Sequence, residues 1–209
     1  SAASDVYKRQ DVRPSLKRIR VEGMYLDEQE LFDLRRSLET IRDIVRFLQK
    51  SEGEEEETAS PYPCLKRLAG DITVFPQLIG KINGILSPYG KIKDNASAEL
   101  ARIRRELVST MGSISRSLNN ILRNAQSEGI VDKDVAPTMR DGRLVIPVVP
   151  ALKRKIKGIV HDESASGKTV FIEPAEVVEA NNRIRELEGD ERREIIRILV
   201  AVSYTHLRA

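Results

Sequence analysis

Tryptophan is absent from this 209-residue chain, aromatic residues make up 4% of it, and Cys64 is its one cysteine. So few large rings argue against a sphere built on an aromatic core. A 32% share of charged residues, set among many Leu and Ile, suits long solvated helices instead. A single cysteine excludes an internal disulfide framework and makes the cytoplasm the default compartment. Nothing near Cys64 supplies a base, so it reads as a small packed residue rather than a nucleophile. No run of about 18 apolar residues occurs, so no helical membrane span is expected, and no leader of the secretory type is seen. Excess charge of one sign is missing too. The 35 basic and 32 acidic residues leave a net +3, so only the distribution of charge can point to a partner.

The first methionine is Met24. The opening SAASDVYKRQ and the closing residues resemble translated adapter sequence, and the helical pattern stops at Ser203. Residues 1–10 and 203–209 are therefore set aside as non-native tails, and 11–202 read as an internal piece of a longer protein.

Within that piece, Val12 to Val21 is expected to be a short helix with Pro14 in its first turn. Asp27 and Glu30 have the spacing of a capping box. Leu31, Leu34, Leu38, Ile41, Val45 and Leu48 follow at helical steps to about Lys50, with Arg35, Arg36, Arg42 and Arg46 on a solvated face. The acidic stretch 51–60 is too polar to bury and reads as a loop. Two short helices are expected over Leu65 to Leu86, broken near Gly70 and Phe75, and Ser87 to Gly90 is a turn. Together, 11–96 form a helical bundle with an acidic loop.

From Ser97 a long helix carries Leu100, Ile103, Leu107, Met111, Ile114, Leu118 and Ile121 at the 3.5-residue average of a coiled coil. Strands are expected near 138–140, 143–149, 157–161 and 168–172, with Pro147 on an edge or at a bulge. After Pro174 a returning helix carries Val177, Ala180, Ile184, Leu187, Ile195, Ile198 and Val202, weakened at Gly189 and Glu191. Leu107, Ile114 and Leu118 would then face the stripe that carries Ile184, Leu187 and Ile195. The fold class is mainly α with a small antiparallel β element. It reads as an elongated helical lever whose 97–202 portion is a coiled-coil-like arm with a β-tip near 138–172.

Function is concentrated between Arg140 and Pro174. SASGKT (164–169) resembles the end of a phosphate-binding loop, but that motif needs Gly at position 162 and a helix after Thr169. Position 162 is Asp, and Val170, Phe171 and Ile172 are strand formers. A Ser/Gly turn between antiparallel strands is the better reading, so no cofactor is expected in this piece. Around it lie Asp141-Gly142-Arg143, Ile146-Pro147-Val148, Gly158-Ile159-Val160-His161-Asp162, Ser164-Ala165-Ser166-Gly167, Thr169, Phe171-Ile172-Glu173-Pro174 and Asn181-Asn182. In that order and spacing these blocks resemble the bacterial MutS type-two family, strongly from Ala136 to Leu199 and weakly before.

The resemblance implies the lever and clamp portion of an ATP-dependent DNA-binding homodimer. The parent would bind ATP and Mg, carry a C-terminal ATPase and an endonuclease, and act on DNA junctions or mismatches, on recombination and on stalled ribosomes. Duplex DNA or ribosomal RNA would be the partner.

Seven cations fit such a partner: Arg140, Arg143, Lys153, Arg154, Lys155, Lys157 and Lys168, against only Asp141, Asp162 and Glu163. Clustered at a bend without interleaved aromatics, they suit phosphate contact rather than base stacking; a turn kept soluble by lysines is the plainer account. His161, Asp162 and Glu163 do not assemble a nucleophile, base and orienter, and they offer too few ligands for a metal, so no catalytic or metal residue is assigned. Asn181 and Asn182, poor helix formers, are expected to bond the base of the sheet. The competing reading is a non-enzymatic helical scaffold that binds protein through its coiled-coil arm.

Overall fold

A computed structural model describes residues 11–50 and 63–206. The acidic loop at 51–60 and the tail at 1–10 lie outside them. The chain divides into two units, Ser1–Ser97 with Ile195–Ala209, and Ala98–Glu194.

The first unit begins with α1 (Arg13–Arg18), which has Pro14 in its first turn. It ends earlier than the apolar pattern suggests, because the amides of Arg20 and Val21 bond back only three residues and tighten the chain into a turn. The capping box starts α2 (Glu28–Lys50): the Glu30 amide donates to Asp27 Oδ1 at 2.8 Å, and the Asp27 amide donates to Glu30 Oε2 at 3.0 Å. Leu31, Leu34 and Val45 of its stripe are buried, while Ile41 is 39% exposed.

Arg35 departs from the expected solvated face, being only 4% exposed. Its guanidinium donates to Asn83 Oδ1 and to the carbonyls of Leu86, Ser87 and Pro88 at 2.8 to 3.3 Å. The Leu86 carbonyl is at the C-cap of α4 (Pro76–Ile85), which follows α3 (Pro63–Gly70), and a helix end needs such a donor; the Ser87 and Pro88 carbonyls belong to the turn after it. Cys64, expected to be packed, is exposed on α3.

The second unit is built on α5 (Ala98–Ser127) and a four-stranded antiparallel sheet: β1 (Thr138–Arg140), β2 (Arg143–Val148), β3 (Gly158–Glu163) and β4 (Val170–Pro174), in the order β1-β2-β4-β3. β3 extends beyond its expected end because a bulge between Val160 and Asp162 lets pairing continue to Glu163 opposite Val170, and β4 runs on to Pro174 because Ile159 and Gly158 pair with Glu173 and Pro174. Pro147 pairs with Phe171 but lies past the reach of β1, on the part of β2 whose outer edge is open. Ile114, Leu118, Leu122 and Ala125 of α5 pack on Ile146, Val148, Val170 and Ile172. Ile114 and Leu118 therefore face the sheet; of their expected partners Ile184 belongs to this cluster, whereas Leu187 and Ile195 do not.

Pro174 ends β4 rather than opening a helix, and a 3₁₀ turn (Ala175–Val177) leads into α6 (Val178–His206). Within the second unit α5 and α6 run antiparallel, bridged by Arg183 to Glu106 and by Arg104 to Glu191, both at 2.7 Å. The second bridge explains Glu191 where an apolar step was due, and α6 is continuous through it. The helix also continues past Ser203 into the presumed tail. In the first unit the Ser203 hydroxyl accepts the Leu26 amide at 3.0 Å, and the Tyr204 hydroxyl accepts that of Gly23.

Candidate nucleic-acid interface

β2 and β3 both run antiparallel to β4, so they are parallel to each other, and no hairpin can join them. Val148 ends β2 opposite Val170, whereas Gly158 begins β3 opposite Pro174, so residues 149–157 must travel back along the length of the sheet. Leu152 and Ile156, four apart, turn inwards on this crossover and join the core. Lys153, Arg154, Lys155 and Lys157 are left exposed. The four cations thus lie on a crossover strap, not at the hairpin bend expected from sequence. Lys168 is exposed in the β3–β4 turn, at the opposite end of the sheet from Lys157. None of these five takes part in an ion pair among the described residues. Lys155 and Lys157 border a groove of about 280 Å³ together with Asn124, Glu128 and Glu176. The two carboxylates weaken the positive field at that end of the strap.

The structure uses Arg140 and Arg143 differently from the other cations. Arg140 lies over the Phe171 ring, 4.1 Å from its centroid, where the ring face attracts the guanidinium. Arg143, with 14% of its side chain exposed, pairs with Glu173 Oε1 at 2.6 Å and reaches Asn182 Oδ1. Glu173 is fully buried and is the centre of this network. Asn181 Nδ2 donates to its Oε1 at 3.0 Å, and His161 bonds its Oε2. A carboxylate has no proton to give, so Nε2 of His161 is the donor. Burial pushes the Glu173 carboxyl up, but hydrogen bonds from His161, Asn181 and Arg143 outweigh it and hold the group below its ordinary value. Asn181 also brackets β2, donating to the Leu144 carbonyl and accepting from the Leu144 amide.

Sequence reasoning placed Asn181, Asn182 and His161 in structural roles but named Glu173 only within a family block and gave it no role of its own. The signal available was a carboxylate on a strand otherwise made of Val, Phe, Ile and Pro. Gly158 serves the same region: a Cβ there would lie 2.1 Å from the Glu173 carbonyl oxygen, so only glycine admits β4 this closely.

SASGKT forms the β3–β4 turn. The Gly167 amide donates to the Ser164 carbonyl at 2.8 Å and the Thr169 amide to Ser164 Oγ at 3.1 Å, with Gly167 at φ +66°. Two of the amides a phosphate would need are committed within the turn, and a strand follows instead of a helix. This loop does not fit ATP. Among the described residues no three His, Cys, Asp or Glu side chains converge as a metal site, and no helix is long and apolar enough to cross a membrane.

No family profile matches the chain. Individual proteins do. It is 37% identical over 193 residues to Endonuclease MutS2 of Pelotomaculum thermopropionicum, covering 92% of this chain and 23% of that protein. With Endonuclease MutS2 of Finegoldia magna it shares 39% over 201 residues, 95% of this chain and 24% of the relative. Endonuclease MutS2 of Lacticaseibacillus paracasei is 38% identical over 194 residues, with 93% and 24% covered. The chain spans about a quarter of the length of these relatives, and along nearly all of its own length it belongs to the MutS2 family.

Proposed function

We propose that the chain is the lever and clamp portion of a MutS2 protein, contacting the phosphate backbone of a nucleic acid and passing the state of an ATPase elsewhere in the protein to that contact. The observation that carries this reading is the strap: Lys153, Arg154, Lys155 and Lys157 are exposed and make no ion pair among the described residues, on a segment anchored by Leu152 and Ile156. Unpaired cations on a braced segment can neutralise phosphates without first giving up an internal partner, whereas Arg140 and Arg143 cannot. No aromatic side chain interrupts the strap, which favours duplex backbone over stacked single strand. In the whole protein, ATP with Mg, a second copy as homodimer partner, endonuclease action, and mismatched DNA or ribosomal RNA as target belong to this proposal through the family. The scaffold alternative needs an exposed apolar seam, yet Leu100, Ile103, Ile114, Leu118 and Leu122 of α5 are buried within the chain.

The test is fluorescence anisotropy with a labelled DNA duplex over a salt series. Replacing Lys153, Arg154, Lys155 and Lys157 by Ala should reduce the magnitude of the log K against log salt slope by about 3 to 4. An unchanged slope assigns the strap to solubility and returns the scaffold reading to first place.

A further inference from the structure

Arg105, Ser109, Gly112, Arg116, Asn119 and Arg123 recur along α5 at alternating steps of four and three, so they fall on one line of the helix. That line is opposite the buried residues Ile103, Ile114 and Leu118, and all of it is exposed except Gly112, which is half-buried. From Leu107 to Ser127 the helix contains no Asp or Glu. Acidic residues number 32 in 209, so a stretch of this length drawn at the chain's average would hold about three. A face that needs only solvation mixes both signs, as α6 does with Glu179, Glu186, Asp190 and Arg193. The α5 face instead offers guanidinium groups and neutral polar side chains. Arg105 and Arg116 make no ion pair among the described residues, and Arg116 lies back over Gly112. Among the described residues Arg123 donates only to the Asn119 carbonyl and to Asn120 Oδ1, at 3.4 and 2.6 Å.

We propose that this face of α5 is a second phosphate-backbone contact for a nucleic-acid duplex, separate from the crossover strap; it rests on the nucleic-acid reading above. At 1.5 Å per residue the backbone positions of the three arginines lie about 16 Å and about 10 Å apart along the helix axis. Ser109 and Gly112 between them carry no bulk to hold a sugar–phosphate chain away. Asn119 and the hydroxyl of Ser109 add neutral hydrogen bonds of the kind that position a backbone without reading bases. The face has no aromatic ring for a splayed base to stack on, which selects duplex over single strand.

The experiment uses the 209-residue chain, a fluorescein-labelled DNA duplex of about three helical turns and a single strand of equal length. Arg105→Gln, Arg116→Gln and Arg123→Gln are combined in one variant, compared with the four-alanine strap variant and with both sets together. The triple variant should keep its helical circular dichroism and thermal midpoint, since the three side chains are exposed. It should lower the salt slope on duplex by about 2 to 3, and the two sets of substitutions should add. An unchanged slope in the triple variant, with the strap variant lowered, overturns the α5 contact and leaves the strap reading intact. The reverse result supports the α5 contact and removes the strap. Tighter binding of the single strand overturns the choice of duplex. A change in sedimentation mass without a change in slope overturns the proposal in favour of a helix docking on α5, beside Val108, which is 73% exposed.

Discussion

Glu173 is a carboxylate with no solvent exposure, held by Arg143, His161 and Asn181, and its position decides how the sheet and the start of α6 are joined. Glu173→Gln keeps the shape but leaves Arg143 without its counter-charge at a nearly buried site, a change that costs about 3 to 5 kcal/mol. Urea unfolding measures this, and a loss within about 0.5 kcal/mol, typical of surface positions, would dismiss the network as a stabilising element. The sign of the pH dependence follows from the depressed carboxyl. Its contribution is fully present above the ordinary value of 4.5 and is lost as pH falls through the lower folded-state value. Acid unfolding should therefore be shallower in Glu173→Gln than in the parent as pH falls from 4.5 to the folded-state value; equal steepness there would rule out Glu173 as the linked group. Arg35 shows the same logic in the other unit, where a guanidinium is buried because the end of α4 and the following turn leave carbonyls that need donors.

Among the elements, α5 has a buried apolar face and, opposite it, an exposed face that carries Arg105, Arg116 and Arg123. Its buried face packs on β2 and β4, and Leu118 has no exposed area there. Leu118→Ala should cost about 2 to 5 kcal/mol in urea unfolding, the range for emptying a packed core position. A loss under about 0.5 kcal/mol would mean that α5 and the sheet do not form this core. The periodicity of α5 was legible in sequence because leucine and isoleucine recur at helical steps; what they pack on was not. An apolar stripe specifies only that something apolar covers it, and here the β2–β4 pair covers the stretch assigned by sequence to the returning helix. The strap was misplaced for a related reason. A Pro-initiated basic segment between two strand patterns reads as a bend, and only the pairing of both strands with β4 turns it into a crossover.

For the whole molecule, the chain as it stands should bind no ATP with Mg, because the 164–169 turn spends its amides internally and leads into a strand. Isothermal titration checks this, and saturable binding abolished by Lys168→Ala would reinstate a phosphate loop at this turn. Sequence alone determined the mainly helical class, the capping box at Asp27, the hairpin character of SASGKT and the family resemblance. Each rests on spacing within a few residues or on short blocks in fixed order, and local chain geometry is enough to express them. Tertiary structure decided which charged residues are free. Arg143 and Arg35 look in sequence like Lys153 and Arg154, yet partners 30 and about 50 residues away bury the first two, while the other two make no ion pair among the described residues. The physical reason is that a cation's availability depends on its desolvation and its counter-charge, both set by segments distant in sequence.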